Sequence, residues 1–174
     1  SSRLTYGANA VVQEASKLLH KCTGNPLVAF GSFAGNPEPE LETQLKHNYL
    51  RGTDHGFQEV EIGAVWSTVE ECRKIKENLP PGFVPKWVVT VTDEAHSRRC
   101  RIVWRTFFPT SKVIIVSVPI ESTLDPESPM ITYHNLKTIL WNQAKWTPIF
   151  WAISLFGERV LKLVEKGHQP TQAR

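Results

Sequence analysis

The segment from Thr92 to Arg99 contains the residue types best suited to chemistry in this chain. On a helix that begins near residue 95, His96 and Arg99 lie three residues apart and share a face close to the helix amino end. A histidine can exchange a proton near neutral pH, and an arginine can hold a phosphate or carboxylate through two parallel hydrogen bonds. The alternative is a solvated first turn, in which Asp93 caps the helix and the neighbouring arginines face water.

A short loop of mainly small residues follows the apolar run 27–30, and its sequence is Gly31-Ser32-Phe33-Ala34-Gly35. Glycines let backbone amides approach an anion, and a following helix adds a favourable dipole. The loop matches neither the phosphate-binding P-loop nor the dinucleotide fingerprint. It is either a backbone cradle for an anion or a tight turn that needs glycine for backbone reasons.

Acidic residues gather at the expected starts of two further helices, at Glu38, Glu40, Glu42, Glu70 and Glu71. A carboxylate in the first turn of a helix is stabilised by the helix dipole, so a structural role is the default. Any one of them could instead bind a ribose hydroxyl or act as a base. No metal site is expected, because no second histidine stands at ligand spacing from His96.

The elements that must position these residues alternate between helix and strand. Apolar repeats predict helices over about 4–19, from the segment 36–39 to about 49, and over 67–78 and 95–107. Strands are predicted over 27–30, 59–65, 87–91 and 112–118. The alternation indicates an α/β fold: a three-layer, Rossmann-like domain with a mostly parallel sheet and helices on both faces. Ligands of such sheets bind beyond the carboxyl ends of the strands, where the candidates above lie.

The C-terminal segment from about residue 130 to 166 is predicted to form one or two helices, interrupted near Pro148. It is rich in large aromatic residues, at Trp141, Trp146, Phe150, Trp151 and Phe156. Such residues suit a helix that covers one face of the sheet or one that lies on a membrane surface. The polar face is not notably basic, which favours the core-covering helix.

Length and composition limit the class of protein. The 174 residues, 41% apolar and 21% charged, are typical of a single globular domain over residues 1–174. The net charge of +3 is spread along the chain and does not indicate nucleic-acid binding. Three cysteines without CxxC spacing argue against a disulfide framework or a zinc site. With no apolar run of about 18 residues and no signal-peptide pattern, we expect no transmembrane segment and a cytoplasmic location.

Taken together, the segments resemble the SanA/ElyC/YdcF family, Rossmann-like domains of mostly unassigned activity. The family pattern has a strand entering a Ser-Gly-Gly-type loop, an acidic residue that opens a helix, a stretch S-x-N-T-x-E-N, and a strand ending in V-T-S-x-x-H-x-x-R-A. The matching positions here are Ala29 to Ser32, Glu40 or Glu42, Thr68 to Glu71, and Val91 to Cys100. The likeness covers roughly residues 4–120, and only the last block is specific.

Three positions depart from the family pattern: Glu71 stands where Asn is favoured, Trp66 lies where Ser or Asn is usual, and Glu61 is one residue further from Thr68 than the family spacing. The resemblance implies a pocket at the strand carboxyl ends for a nucleotide-like or phosphate-bearing ligand. Family members have been linked to S-adenosylmethionine binding and to bacterial cell-envelope precursor metabolism. S-adenosylmethionine is therefore the cofactor that the resemblance suggests, and no other cofactor is indicated.

These observations favour a domain that binds an anionic, nucleotide-like or phosphate-bearing small molecule, with acid/base chemistry of a transferase or hydrolase if the site is catalytic. His96 is the expected acid or base and Arg99 the anion clamp. The other expected ligand-binding residues are Gly31, Ser32, Phe33, Glu40, Thr68, Glu70, Thr92 and Asp93.

Two other function classes remain open. One is a non-catalytic binding or assembly domain that forms a homo-oligomer through an open sheet edge or through the aromatic C-terminal segment. The other is a tailoring enzyme for a specialised small molecule, which an apolar cleft lined by Phe33 and Trp66 would indicate.

Overall fold

The computed structural model describes residues 4–119 and, nearer the C-terminus, residues 144, 147–149, 151–153, 155–157, 159–160 and 163. Helices and strands alternate over residues 4–119, in the order α1 (Tyr6–Leu19), β1 (Leu27–Val28), β2 (Ser32–Phe33), α2 (Pro39–Arg51), β3 (Gln58–Glu59), β4 (Ala64–Val65), α3 (Thr68–Asn78), β5 (Trp87–Asp93), α4 (Glu94–Phe107) and β6 (Lys112–Val118). The expected α/β character is confirmed.

All strand pairing in the described part of the chain is parallel. β1 pairs with β3, β2 with β4, and β5 with β6. The last pair is the longest and runs from Trp87 opposite Lys112 to Asp93 opposite Val118. Parallel pairing places the carboxyl ends of partner strands side by side, so β2 ends next to β4 and β5 next to β6.

Two predicted strands are each divided. The run 27–30 gives only the short β1, and β2 lies inside the segment 31–35 that was expected to be a loop. The run 59–65 is split into β3 and β4, and Gly63 between them has a φ of 60°. That conformation lies outside the β region and favours glycine, so the chain turns between two short strands instead of continuing as one.

Side-chain caps fix the starts of the two helices nearest the predicted site. Ser67 accepts a hydrogen bond from the backbone N–H of Glu70, 3.2 Å away, at the start of α3. Asp93 does the same for the backbone N–H of His96 at the start of α4, over 3.0 Å. Both starts lie within a residue or two of the sequence prediction, because the capping residues and the first turn are read from local sequence.

Three apolar clusters hold these elements together. The largest packs α3 and α4 on the β5–β6 pair around Val69, Cys72, Val103 and Trp104, and Ile153 joins it from the C-terminal part of the chain. A second joins α1 and α2 around Val12, Phe30, Leu50 and Phe57. A third contains Val60, Ile62 and Val65. The candidate functional site lies where the start of α3 and the junction between β5 and α4 approach the segment between β1 and β2.

The aromatic C-terminal segment is described only in part, and Trp141, Trp146 and Phe150 lie outside the described residues. The described positions from 144 to 163 are helical apart from Gly157, Pro148 included, so the expected interruption is not seen at Pro148 itself. Trp151 and Phe156 are 69% and 64% exposed, so their expected place in the core is wrong. The apolar Ile153 is buried instead. Within the described ranges, every helix is too short or too polar to cross a bilayer.

Candidate functional site

Asp93 and His96 form a close side-chain pair where β5 passes into α4. One carboxylate oxygen of Asp93 caps the helix, and the other lies 2.5 Å from Nδ1 of His96. The two side chains are 25% and 33% exposed, so the pair lies at the surface without being fully solvated. A carboxylate on Nδ1 orients an imidazole and selects the tautomer in which Nε2 exchanges the proton.

The electrostatics of this pair favour an ionised aspartate. Burial by itself would raise the pKa of Asp93. The hydrogen bonds from His96, its charge and the charge of Arg99 outweigh that effect and lower the pKa below its ordinary value of 3.8. Asp93 is therefore a carboxylate across the neutral range and can stabilise a positively charged His96.

Arg99 lies one turn beyond His96 and is partly buried, whereas its neighbour Arg98 is exposed. The alternative in which both arginines face water is therefore wrong for Arg99. The positive charge of Arg99 favours the ionised form of two carboxylates: it contributes to the lowered pKa of Asp93 and opposes the rise in the pKa of Glu71. The shared face of His96 and Arg99, predicted from their spacing, is thus occupied by a small network of charges.

The carboxylate of Glu71 lies against the backbone of Gly31. A Cβ atom added to Gly31 would stand 2.1 Å from Oε1 of Glu71, a distance that real side chains do not adopt. Burial raises the pKa of Glu71 above its ordinary value of 4.5, and the charges of Lys46 and Arg99 oppose that rise without cancelling it. The glycine expected to cradle an anion is therefore already in contact with a carboxylate of the chain itself.

Lys46 connects α2 to the backbone of Gly31. Its Nζ donates a hydrogen bond to the carbonyl oxygen of Gly31 over 2.6 Å and lies 2.5 Å from the carboxylate of Glu42. Glu42 also accepts a hydrogen bond from the side chain of Asn36. Glu40, the acidic residue expected at this site, is exposed. Sequence reasoning missed Lys46, although its spacing of four residues from Glu42 was a usable signal.

Ser32 faces the interior and is 2% exposed. Its hydroxyl lies 2.7 Å from the hydroxyl of Thr43, which donates in turn to the carbonyl oxygen of Pro39. This chain of hydrogen bonds attaches β2 to the first turn of α2. The structure thus gives Ser32 a positioning contact, and its expected contact with a ligand stays a prediction.

The expected residues Thr68 and Glu70 lie in the first turn of α3. One oxygen of Glu70 accepts a hydrogen bond from the backbone N–H of Trp66 over 2.8 Å, and the other lies 3.1 Å from Nζ of Lys74. These contacts, with the Ser67 cap, closely resemble a capping box. Glu70 therefore orders the junction between β4 and α3, and α3 in turn carries the neighbouring Glu71.

Two buried cysteines adjoin the charged side chains of Glu71, Asp93, His96 and Arg99, which together form the charged cluster. Burial raises the pKa of both thiols, to about 11 for Cys100, and the negative charge of Glu71 adds to the rise. The thiol of Cys100 donates to the hydroxyl of Thr92 over 3.9 Å. Since the thiolate is the reactive form, neither Cys72 nor Cys100 is a suitable nucleophile at neutral pH.

Phe33 and Trp66 stand exposed at the same edge. Phe33 is the last residue of β2, and Trp66 directly follows its partner strand β4. Their rings meet edge to face with centroids 5.8 Å apart. Phe33 is 52% exposed and Trp66 36%. Of the aromatic residues expected to line a cleft, the structure thus brings these two into contact.

No family model, curated protein or solved structure matches this chain. The resemblance to the SanA/ElyC/YdcF family therefore rests on the motifs quoted above, and the site must be judged by its own chemistry. In the described ranges, no three His, Cys, Asp or Glu side chains come together as a metal centre would require.

Proposed function

We propose that this chain binds a phosphate-bearing small molecule where α3 and α4 meet the end of β5 and the start of β2, within a three-layer, Rossmann-like arrangement. One observation carries the proposal: the partly buried Arg99 stands one helical turn beyond His96, whose imidazole lies against the carboxylate of Asp93 where β5 passes into α4. A partly buried guanidinium loses less side-chain entropy than an exposed one when it takes a phosphate, and it can hold the phosphate through two parallel hydrogen bonds.

His96 and Asp93 supply the proton transfer in this proposal. His96 takes a proton from an attacking water or alcohol as the oxygen of that nucleophile bonds to phosphorus. The P–O bond to the leaving group breaks, and the imidazolium returns the proton to the leaving alkoxide. Asp93 stabilises the imidazolium in between, and Arg99 stabilises the negative charge on the phosphate. Phosphate-ester hydrolysis or transfer needs only these parts, because the reaction depends mainly on positioning and charge stabilisation. The buried thiols have no part in the reaction.

The resemblance described above adds S-adenosylmethionine to the ligands worth testing. That cofactor carries an adenosine group and a carboxylate but no phosphate. A site built on Arg99 could hold the carboxylate in place of a phosphate. It is therefore included in the screen alongside phosphate-bearing compounds.

The test is a thermal-shift screen of the parent protein with orthophosphate, AMP, a sugar nucleotide, a prenyl phosphate and S-adenosylmethionine. A ligand at a hundred times its Kd should stabilise the fold by about 2.7 kcal/mol. Arg99→Ala should lose the shift, and Arg98→Ala, the exposed neighbour on the same helix, should keep it. Equal shifts in the two variants, or none in the parent, would count against the proposal.

A second candidate function, self-assembly, is favoured by a separate observation. Trp151, Leu155 and Leu163 of the C-terminal helical residues are 69%, 73% and 70% exposed, while Ile153 is buried in the core. Large exposed apolar side chains on one segment often mark an interface. Light scattering after gel filtration would test this candidate, and Leu155→Glu should convert an oligomer to a monomer. A monomeric parent would remove it.

A further inference from the structure

Phe33 and Trp66 form an exposed aromatic pair whose position is fixed by the backbone beneath it. Phe33 lies opposite Val65 in the β2–β4 pair, and the N–H of Ala34 donates to the carbonyl oxygen of Val65 over 2.8 Å. The backbone pairing thus continues one residue past Phe33. It brings Trp66, the residue after Val65, next to Phe33. The N–H of Trp66 is held in turn by the carboxylate of Glu70.

Gly35 makes room for the ring of Phe33. A Cβ atom on Gly35 would lie 2.4 Å from Cε1 of Phe33, so the ring occupies space that any other residue at 35 would fill. One side of the Phe33 ring therefore rests on the chain, and its edge-to-face contact with Trp66 holds the second ring nearly perpendicular, at 86°. Both rings keep exposed surface in this arrangement.

The aromatic pair lies next to the charged cluster along both strands. Phe33 is two residues from Gly31, against which Glu71 lies, and two residues of strand span roughly 7 Å. Trp66 is joined through Glu70 to the turn of α3 that also carries Glu71. An anion held at the charged cluster would thus have an exposed aromatic surface on the neighbouring residues of β2 and β4.

We infer that the Phe33–Trp66 pair stacks the base of a nucleotide whose phosphate lies at the charged cluster. The inference rests on the proposed function and names its substrate class: nucleotides, in preference to sugar phosphates or prenyl phosphates. Flat π-systems stack on exposed aromatic side chains whatever the base, so the pair selects for a base without reading its identity. A sugar phosphate has no ring system to stack in this way.

The test compares the affinities of AMP, UMP, ribose 5-phosphate and adenosine by isothermal titration calorimetry. At least one nucleotide should bind the parent about tenfold or more tightly than ribose 5-phosphate, which is the scale of one base stacked on an aromatic ring. Trp66→Leu should remove that difference and leave the affinity for ribose 5-phosphate unchanged. Phe33→Leu is the second variant, in case Trp66→Leu unfolds.

Trp87→Leu is the matched control. Trp87 is also exposed, at 48%, but it stands at the amino end of β5, away from the site. It should keep the preference for nucleotides. A preference lost equally in Trp87→Leu and Trp66→Leu would overturn the inference.

The remaining outcomes separate this inference from the proposed function. Equal affinity for nucleotides and ribose 5-phosphate, both lost in Arg99→Ala, would overturn the stacking inference and leave phosphate binding standing. Adenosine that binds as tightly as AMP, with a dependence on Trp66 and none on Arg99, would support stacking and overturn phosphate binding. Absence of binding by all four compounds would overturn both.

Discussion

The carboxylate of Glu71 lies against Gly31 in the space where a side chain at residue 31 would project. This contact joins α3 to the segment between β1 and β2, across 40 residues of sequence. It explains why residue 31 is a glycine without any appeal to ligand binding. It also places an ionisable group of the chain beside Arg99, at the position proposed for a phosphate.

A double-mutant cycle should measure this relationship. Gly31→Ala alone should destabilise the protein by about 1–2 kcal/mol, because the new methyl group must displace the Glu71 carboxylate. In a Glu71→Ala background, the same change should be neutral or stabilise by roughly 0.4–1 kcal/mol, because alanine restricts the unfolded chain. Urea denaturation gives both values. A coupling energy below about 0.5 kcal/mol would mean that the two residues do not constrain each other.

The stability of Glu71→Gln relative to the parent should rise with pH. The pKa of Glu71 is raised in the folded protein, so the folded state binds more protons than the unfolded state between the ordinary value of 4.5 and the raised one. The parent therefore loses stability as the pH rises through that window, and the glutamine variant does not. Asp93 has a shift of opposite sign but is present in both proteins. Thermal unfolding at pH 4 to 8 checks the trend, and a difference that falls with pH would contradict it.

Glu71→Gln should also bind orthophosphate more tightly than the parent. At a pH above the raised pKa of Glu71, removing its negative charge removes a repulsion from the incoming anion, which we expect to be worth roughly three- to tenfold in Kd at low salt. Calorimetric titration at two salt concentrations tests this, since screening should shrink the gain. Glu77→Gln, on the exposed end of α3, is the control and should change the affinity little. Weaker binding by Glu71→Gln would show that the carboxylate helps to hold the ligand.

Substitutions of Asp93 should separate its two roles. Asn is a good helix cap, so Asp93→Asn should lose only the charge interactions with His96 and Arg99, whereas Asp93→Ala should lose the cap as well and be less stable by about a further 1 kcal/mol. Neither Asn nor Ala carries the negative charge with which Asp93 stabilises the imidazolium of His96. Both variants should therefore lose most of any phosphate-ester turnover, as His96→Ala should. Full turnover in Asp93→Asn would exclude the pair from the reaction.

Ser32→Ala should affect stability and leave ligand binding unchanged. The Ser32 hydroxyl is buried and its 2.7 Å hydrogen bond to Thr43 attaches β2 to α2, so its loss should cost about 1 kcal/mol. Urea denaturation and an orthophosphate titration check the two parts. A large loss of affinity with unchanged stability would instead assign Ser32 to the ligand, as the sequence alone suggested.

Local sequence determined much of the fold. The helix α4, its Asp93 cap and the common face of His96 and Arg99 all follow from contacts within one or two helical turns. The strand β6 was predicted with the bounds that it has in the structure, because its apolar run is long and flanked by turn residues. The pairs β1–β3 and β2–β4 were less well predicted, since a two-residue strand has too little pattern to define its ends and Gly63 divides one run.

The tertiary structure alone decided which groups meet at the site. More than 30 residues separate Gly31 from Glu71, and likewise Phe33 from Trp66. No sequence pattern predicts contacts between segments that far apart in the chain. Lys46 belongs to the site because α2 packs beside the segment after β1. This packing brings the ammonium group of Lys46 within hydrogen-bond distance of the carbonyl oxygen of Gly31. Residue type and spacing thus determined which functional groups each helix turn carries. The tertiary packing determined which charged and aromatic side chains come into contact.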